Sequence, residues 1–377
     1  MPQVTLAHVT EATALLERLV AIDSVNPTLV AGGAGELEIA RVVAAWLEGR
    51  GVEVELDELA PGRANVVGRV RGTGGGRTLL LNAHLDTVGL GGPDGSLTPR
   101  VDGNRMYGRG TYDMKGSLAA IMSAAAAAQE RGLSGDLVVA AVADEEAESI
   151  GAERVAGTIS ADAAIVAEPT DMKLAIAHRG FVWLELETRG RAAHGSRYDL
   201  GIDANALMGP ALAGIGELDR RLAENGNAHP LLGRASIHAA LVEGGTEPST
   251  YAARCVAKLE RRTLPGETVA LVEEQAREIA GPATVKSLFS REPLETPPDA
   301  AIVDVLLRSA SEVLGEAPEM VGVPFWTDAA VFSAAGIPSV VFGPGGAGAH
   351  EDAEWVDLVD VERTAAILLR VAEEFCG

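Results

Sequence analysis

At 377 residues and 47% hydrophobic content, the chain is long for a single buried core and suggests two domains. Its formal net charge of −23 and isoelectric point near 4.7 repel polyanions, which argues against nucleic acid or an anionic membrane surface as a partner. Only Cys255 and Cys376 occur, so a disulfide framework and thiolate zinc ligation are both disfavoured, and Cys255 reads as a small buried hydrophobe.

The first twenty residues lack a basic segment followed by an apolar core and a small-residue cleavage site. They read as an amphipathic helix over 10–22 and make the cytoplasm the expected location. The most apolar helical stretch, 117–128, is too short for a bilayer, which needs about 20 residues. Apolar, β-branched runs at 65–70, 78–82, 137–142, 163–166 and 339–342 alternate with helical patterns at 10–22, 36–51, 114–131, 299–314 and 361–374. That alternation predicts an α/β fold with a mostly parallel central sheet covered by helices. Between 180 and 290 the texture changes to strand 181–188, helix 203–222, strands 235–241 and 251–259, helix 267–280 and strand 284–289. This is the split βαβ order of ferredoxin-like domains. An α+β domain at 180–290 is therefore expected to interrupt a discontinuous domain at 1–179 and 291–377.

Polar residues gather where the apolar runs end. His84 and Asp86 follow 78–82, Asp144–Glu146 follow 137–142, Glu168 follows 163–166, and His350 comes after 339–342 and a glycine-rich loop. Open α/β sheets carry their sites beyond the carboxyl ends of strands. His84, Asp113, Glu146, Glu168 and His350 offer imidazole and carboxylate donors, a set suited to zinc and similar divalent ions. Five donors exceed one tetrahedral site, but two cations roughly 3.5–4 Å apart can share a bridging carboxylate and leave a position for water. That pattern predicts a hydrolase.

Each residue also has a plainer reading. His84 alone could be a strand-end histidine, with Asp86 placed to accept its other ring N–H. Asp113, among Gly108, Gly110 and Gly116, is an N-cap or a ligand that backbone can bring close to a metal. Neighbouring side chains on a strand point oppositely, so Glu145 and Glu146 would divide their tasks, Glu146 as ligand and Glu145 as general base. The same acidic run could instead be a solvated turn. Glu168 lies either at an exposed sheet edge or beside a cation, since burying it unpaired is costly.

The segments HLDTV, GRGTYDMKG, DEE, the Glu-Pro after a strand, AAHGS, RTLPG and GPGGAGAHEDAEW resemble, in this order and over nearly the whole chain, the M20 family of di-zinc aminoacyl hydrolases and peptidases. The resemblance implies a zinc-exopeptidase-like catalytic domain with an inserted ferredoxin-like lid. It also implies two divalent ions, zinc first with Co2+ or Mn2+ as alternatives. His84 and Glu168 would hold one, Glu146 and His350 the other, Asp113 would bridge, Glu145 would act as acid and base, and Asp86 would orient His84. His194 in AAHGS would reach the neighbouring subunit's site and stabilise an oxyanion, which implies a homodimer through the lid. Arg262 would meet a substrate carboxylate or form a salt bridge within the lid. Ser249, where many relatives carry Asn, Thr327 in the 324–332 stretch and Gly345 would complete the substrate side. The substrate would be a small N-acyl amino acid, as for acetylornithine deacetylase-like members, or alternatively a short peptide.

Overall fold

The computed structural model describes residues 9–91, 96–224 and 227–377. The first eight residues, read above as part of an amphipathic N-terminus, lie outside that set. Two compact units emerge, one running to Ile176 and including Thr296–Val321 and Thr327–Gly377, the other comprising Ala177–Glu295 with Gly322–Trp326. The edges expected at 179/180 and 290/291 thus move by a few residues, and the 324–332 stretch is divided between the units.

The sheet of the first unit is mixed rather than mostly parallel. Its middle strands Leu137–Val142, Leu79–His84, Ala163–Val166 and Ser339–Val341 run parallel in that order, and every residue in them is buried. Burial on both faces is why they read as uninterrupted apolar runs. Arg63–Val70 joins one side antiparallel to Leu137–Val142, and Glu53–Ala60 pairs antiparallel with it in turn, the two residues between them allowing only a hairpin. Leu174–His178 pairs antiparallel on the other side. Glu53–Ala60 escaped sequence reading because its side chains are mostly exposed and acidic.

Helix Gly116–Arg131 lies between the sheet and helices Val9–Val20 and Leu358–Cys376, and it is buried from Gly116 through Ala128. Its run of alanines suits that position, since small side chains let the helix approach neighbours on every side. Leu358–Cys376 begins three residues earlier than expected. The Asp357 carboxylate accepts the N–H groups of Val359 (2.8 Å) and Asp360 (3.3 Å), and so caps the helix there.

A second, small sheet serves the site directly. It orders Gly346–Ala347, Trp355–Asp357, Arg105–Tyr107 and Arg100–Asp102, all antiparallel. The hairpin between its first two strands carries His350, while Arg105–Tyr107 leads into the segment that carries Asp113.

The second unit follows the anticipated order of strand Gly180–Arg189, helix Ala204–Glu224, strands Ser236–Gly244 and Arg254–Thr263, helix Val269–Ile279 and strand Thr284–Arg291. Its antiparallel sheet places Gly180–Arg189 and Arg254–Thr263 in the middle. Val182, Leu184 and Leu186 alternate inward and pack with Ala211, Ile215 and Val272 of the helices in a separate core. This is a ferredoxin-like α+β arrangement.

Candidate metal centre

Three adjacent parallel strands end together. His84 closes Leu79–His84 opposite Val142, and Glu168 lies two residues past Val166, which pairs with Asn82. At Asp144 the backbone turns with φ of 74°, so Glu145 and Glu146 sit on a turn and not on an extended strand. The alternation argument for separating them therefore loses its premise, yet the carboxylates do part. Glu145 groups with His84 and Glu168, and Glu146 with His84 and Asp113, with donor atoms in each group within 4.8 Å of one another.

Asp113 lies between the two histidines. Its Oδ1 is 3.0 Å from His84 Nε2, and its Oδ2 is 3.3 Å from His350 Nε2. His84 Nε2 is also 3.7 Å from Glu168 Oε1, and His350 Nε2 is 3.0 Å from Glu146 Oε2. Donors bound to one tetrahedral ion at about 2.0–2.1 Å stand about 3.3 Å apart, so these separations fit the donor sets of two cations. The ring of His84 is prepared for this. Its Nδ1–H donates to the Asp86 carbonyl at 2.9 Å, so Nε2 is the ring atom that faces Asp113 and Glu168, as a donor while protonated and as a ligand once it sheds that proton.

The charges point the same way. Burial pushes Glu168 and Glu145 well above the usual carboxylate range; Glu168 and Asp328 add to the cost of ionising Glu145, and Asp113, Glu146 and Asp328 to that of Glu168. Burial, then Asp113, raises Glu146. Burial also opposes ionisation of Asp113, but hydrogen bonds with His350 and His84 outweigh it and hold this carboxyl far below its ordinary value. The same contacts with Asp113 and Glu146 lift His350 to about 10. Acidic groups this crowded call for positive charge in their midst.

The Asp86 carboxylate has a different task from the one expected. Its Oδ1 is 3.6 Å from His84 Nδ1, beyond hydrogen-bonding range, whereas it accepts the N–H groups of Glu145 and Glu146 at 3.2 Å each. It orients the acidic turn, and the residue's main-chain oxygen orients His84. Behind it stands a network that sequence reading missed. Asn26 Nδ2 donates to Asp86 Oδ2 (2.8 Å) and Asp144 Oδ1 (3.0 Å), and Arg63 reaches Asp144 Oδ1 (2.6 Å) and both oxygens of Glu36 (2.5 and 2.8 Å). Burial alone would lower the Arg63 pKa, but Glu36 and Asp144 raise it above its usual value. A lone Arg at the head of an apolar strand was the available signal.

The expected substrate residues fall in several places. Thr327 is wholly buried, and its hydroxyl accepts the Ala329 N–H (3.2 Å) at the start of a short helix, so it faces no open surface. Gly345 is buried, and a Cβ there would stand 2.7 Å from Asp360 Oδ2. In the second unit, Arg262 pairs with Glu260 and lies 5.3 Å over the Phe181 ring. Ser249 is exposed, its carbonyl accepting the Gly195 N–H (2.7 Å). His194 is also exposed, with Nδ1 2.8 Å from Ser196 Oγ.

Comparison with known proteins agrees with this architecture. The chain is 31% identical over 387 aligned positions to the acetylornithine deacetylase of Photorhabdus laumondii, covering 96% of each chain. Among solved structures it resembles aminopeptidase PepT from Bacillus cereus, with a TM-score of 0.80, 22% identity and 98% and 99% of the two chains covered. It also resembles the Bacillus subtilis YXEP protein, described as a dinuclear metal-binding peptidase, with a TM-score of 0.72, 17% identity and 98% and 100% covered. The profile of peptidase family M20/M25/M40 matches residues 80–374, and with most of its length accounted for, the chain belongs to that family of amide-bond hydrolases.

Proposed function

We propose that the protein cleaves the amide bond of a small N-acyl amino acid in a reaction that depends on two divalent cations, zinc being the ion best matched to the donors. The observation that carries this reading is the placement of Asp113, whose two oxygens face different histidines, each with its own glutamate. His84 and Glu168 would hold one cation, His350 and Glu146 the other, with Asp113 shared. Bound there, the cations supply an acidified water and a positive pole for the carbonyl oxygen. Glu145 accepts the proton of the attacking water on its carboxylate and returns it to the departing nitrogen. Asp86 keeps Glu145 in reach through the main chain.

The deacylase reading takes its support from relatives at about this identity that are named acetylornithine deacetylases. Peptide substrates are the second reading, since the structural neighbours include an aminopeptidase. Rates for N-acetylornithine and related N-acyl amino acids against a dipeptide panel, on zinc-loaded protein, decide between them. A kcat/KM higher for every dipeptide than for any N-acyl amino acid would overturn the first.

His194 and a homodimer belong to the same proposal. Ser236–Gly244 is an edge strand that pairs on one side with Arg254–Thr263, and it exposes Leu241 (54%) and Val242 (50%). An edge of this kind favours pairing with a second copy, which would cover both side chains. His194 would then act on the partner's substrate, and Arg262 would exchange Glu260 for the substrate carboxylate. Among the described residues no helix is long and apolar enough to cross a membrane.

A further inference from the structure

We propose that Glu354, locked by Arg109, is the positioning residue that sets Asp113 against the His350 hairpin, so that its loss weakens the cation held by His350 and Glu146 more than the one held by His84 and Glu168, which shares only Asp113 with it. The inference rests on the two-cation reading above. Glu354 is 1% exposed and Arg109 2%. Oε1 of Glu354 accepts the N–H groups of Tyr112 (2.9 Å) and Asp113 (3.0 Å), while Oε2 accepts that of Gly110 (2.9 Å) and Arg109 Nη1–H (2.7 Å). One carboxylate therefore gathers three main-chain donors of the segment that presents Asp113.

The guanidinium reaches the other loop. Arg109 Nη2 donates to the carbonyl of Glu351, the residue after His350 (2.7 Å), and Nε donates to the Gly89 carbonyl (2.9 Å). The Asp113 segment and the His350 hairpin are thus fastened at one buried ion pair, beside the pairing of Trp355 with Tyr107. Gly110 has φ of 78°, and a Cβ there would stand 2.8 Å from Thr87 Cγ2, so the close backbone path that brings its N–H to Glu354 needs glycine. A buried pair is a weak source of net stability, because desolvation offsets its attraction. What this one supplies is geometry. His84 and Glu168 are positioned otherwise, by the ends of Leu79–His84 and Ala163–Val166.

The test is Glu354→Gln in the full chain, which keeps the shape but turns an amide N–H toward other donors. Metal-free protein is titrated with Zn2+ by calorimetry and with Co2+ by visible absorption. One of the two sites should lose about 10–100-fold in affinity and the other, which keeps His84 and Glu168 in place, a clearly smaller factor. Two sites both near native affinity would overturn the proposal. So would equal weakening of both while the metal-free circular dichroism and melting match native. Should Glu354→Gln not fold, Arg109→Lys, which keeps the charge but not the fork, is judged by the same ratio. A native chain that takes up no pair of ions sinks the metal reading and this proposal together; a native chain and a variant that both bind two normally sink the clamp alone.

Discussion

Replacing Asn26 with Asp tests whether the network behind the acidic turn is electrostatically balanced. The Asn26 amide donates two hydrogen bonds to carboxylates that are themselves buried, and its oxygen accepts the Thr28 N–H at 2.8 Å. An aspartate has no N–H to give. Two charge-assisted hydrogen bonds, each worth about 1.5–3 kcal/mol, are lost and replaced by contacts between like charges. Arg63 offsets part of this, so the net cost at pH 8 is about 3–5 kcal/mol. Asn26→Ala removes the same bonds without adding charge and should cost less than the aspartate. The added carboxyl must have a folded pKa raised above its unfolded value by its neighbours, so its penalty is complete above the folded pKa and disappears below the unfolded one. Urea midpoints of metal-free protein, compared at equal slope, should therefore rank native above Ala above Asp at pH 8, with Asp gaining on Ala as pH falls toward about 5. An Asp variant as stable as native at pH 8, or a gap indifferent to acid, would refute the argument.

Glu145→Gln should retain both cations by elemental analysis while kcat falls about 10²–10⁴-fold; unchanged turnover would remove Glu145 from proton transfer. His350, lifted to about 10 in the metal-free protein by Asp113 and Glu146, must shed its proton to bind a cation. Metal affinity should thus rise from pH 6 to pH 9, with proton release visible as a buffer-dependent heat. The same pairing stabilises the metal-free fold below about pH 6.5 and fades as pH passes about 10, so midpoints measured in chelator should decline across that window. Leu241→Glu on the exposed edge strand should turn a dimer into a monomer by light scattering; a native chain already monomeric and fully active would contradict the shared His194.

The elements that sequence reading placed best were those whose neighbours dictate a uniform chemistry. Leu137–Val142 and Ala163–Val166 are flanked on both sides and covered on both faces, so nothing but apolar residues would do, and their ends were sharp in the sequence. The gathering of His84, Glu145, Glu146 and Glu168 in one place was legible because charged residues at the ends of adjacent buried strands have few other uses. Arg109, Arg63 and Asn26 were not, since a buried arginine looks like a surface one until its partner is known. Arg109 finds Glu354 across 245 positions, a distance over which no local pattern extends. The direction of the outer strands was hidden for a related reason: Arg63–Val70 and Leu174–His178 find their antiparallel partners across long stretches of chain, where no local turn announces the pairing.

Helix Gly116–Arg131 begins two residues after Met114 and has no wet side along most of its length. A cylinder enclosed this way cannot absorb a larger side chain, and each added methylene there should cost about 1–3 kcal/mol through displaced neighbours. Its slim alanine girth sets how far Leu358–Cys376 stands from the sheet, and its first turn anchors the stretch of chain bearing Asp113. The helix behaves as a spacer of fixed gauge, and any thickening of it would be felt at Asp113 before it was felt at the surface.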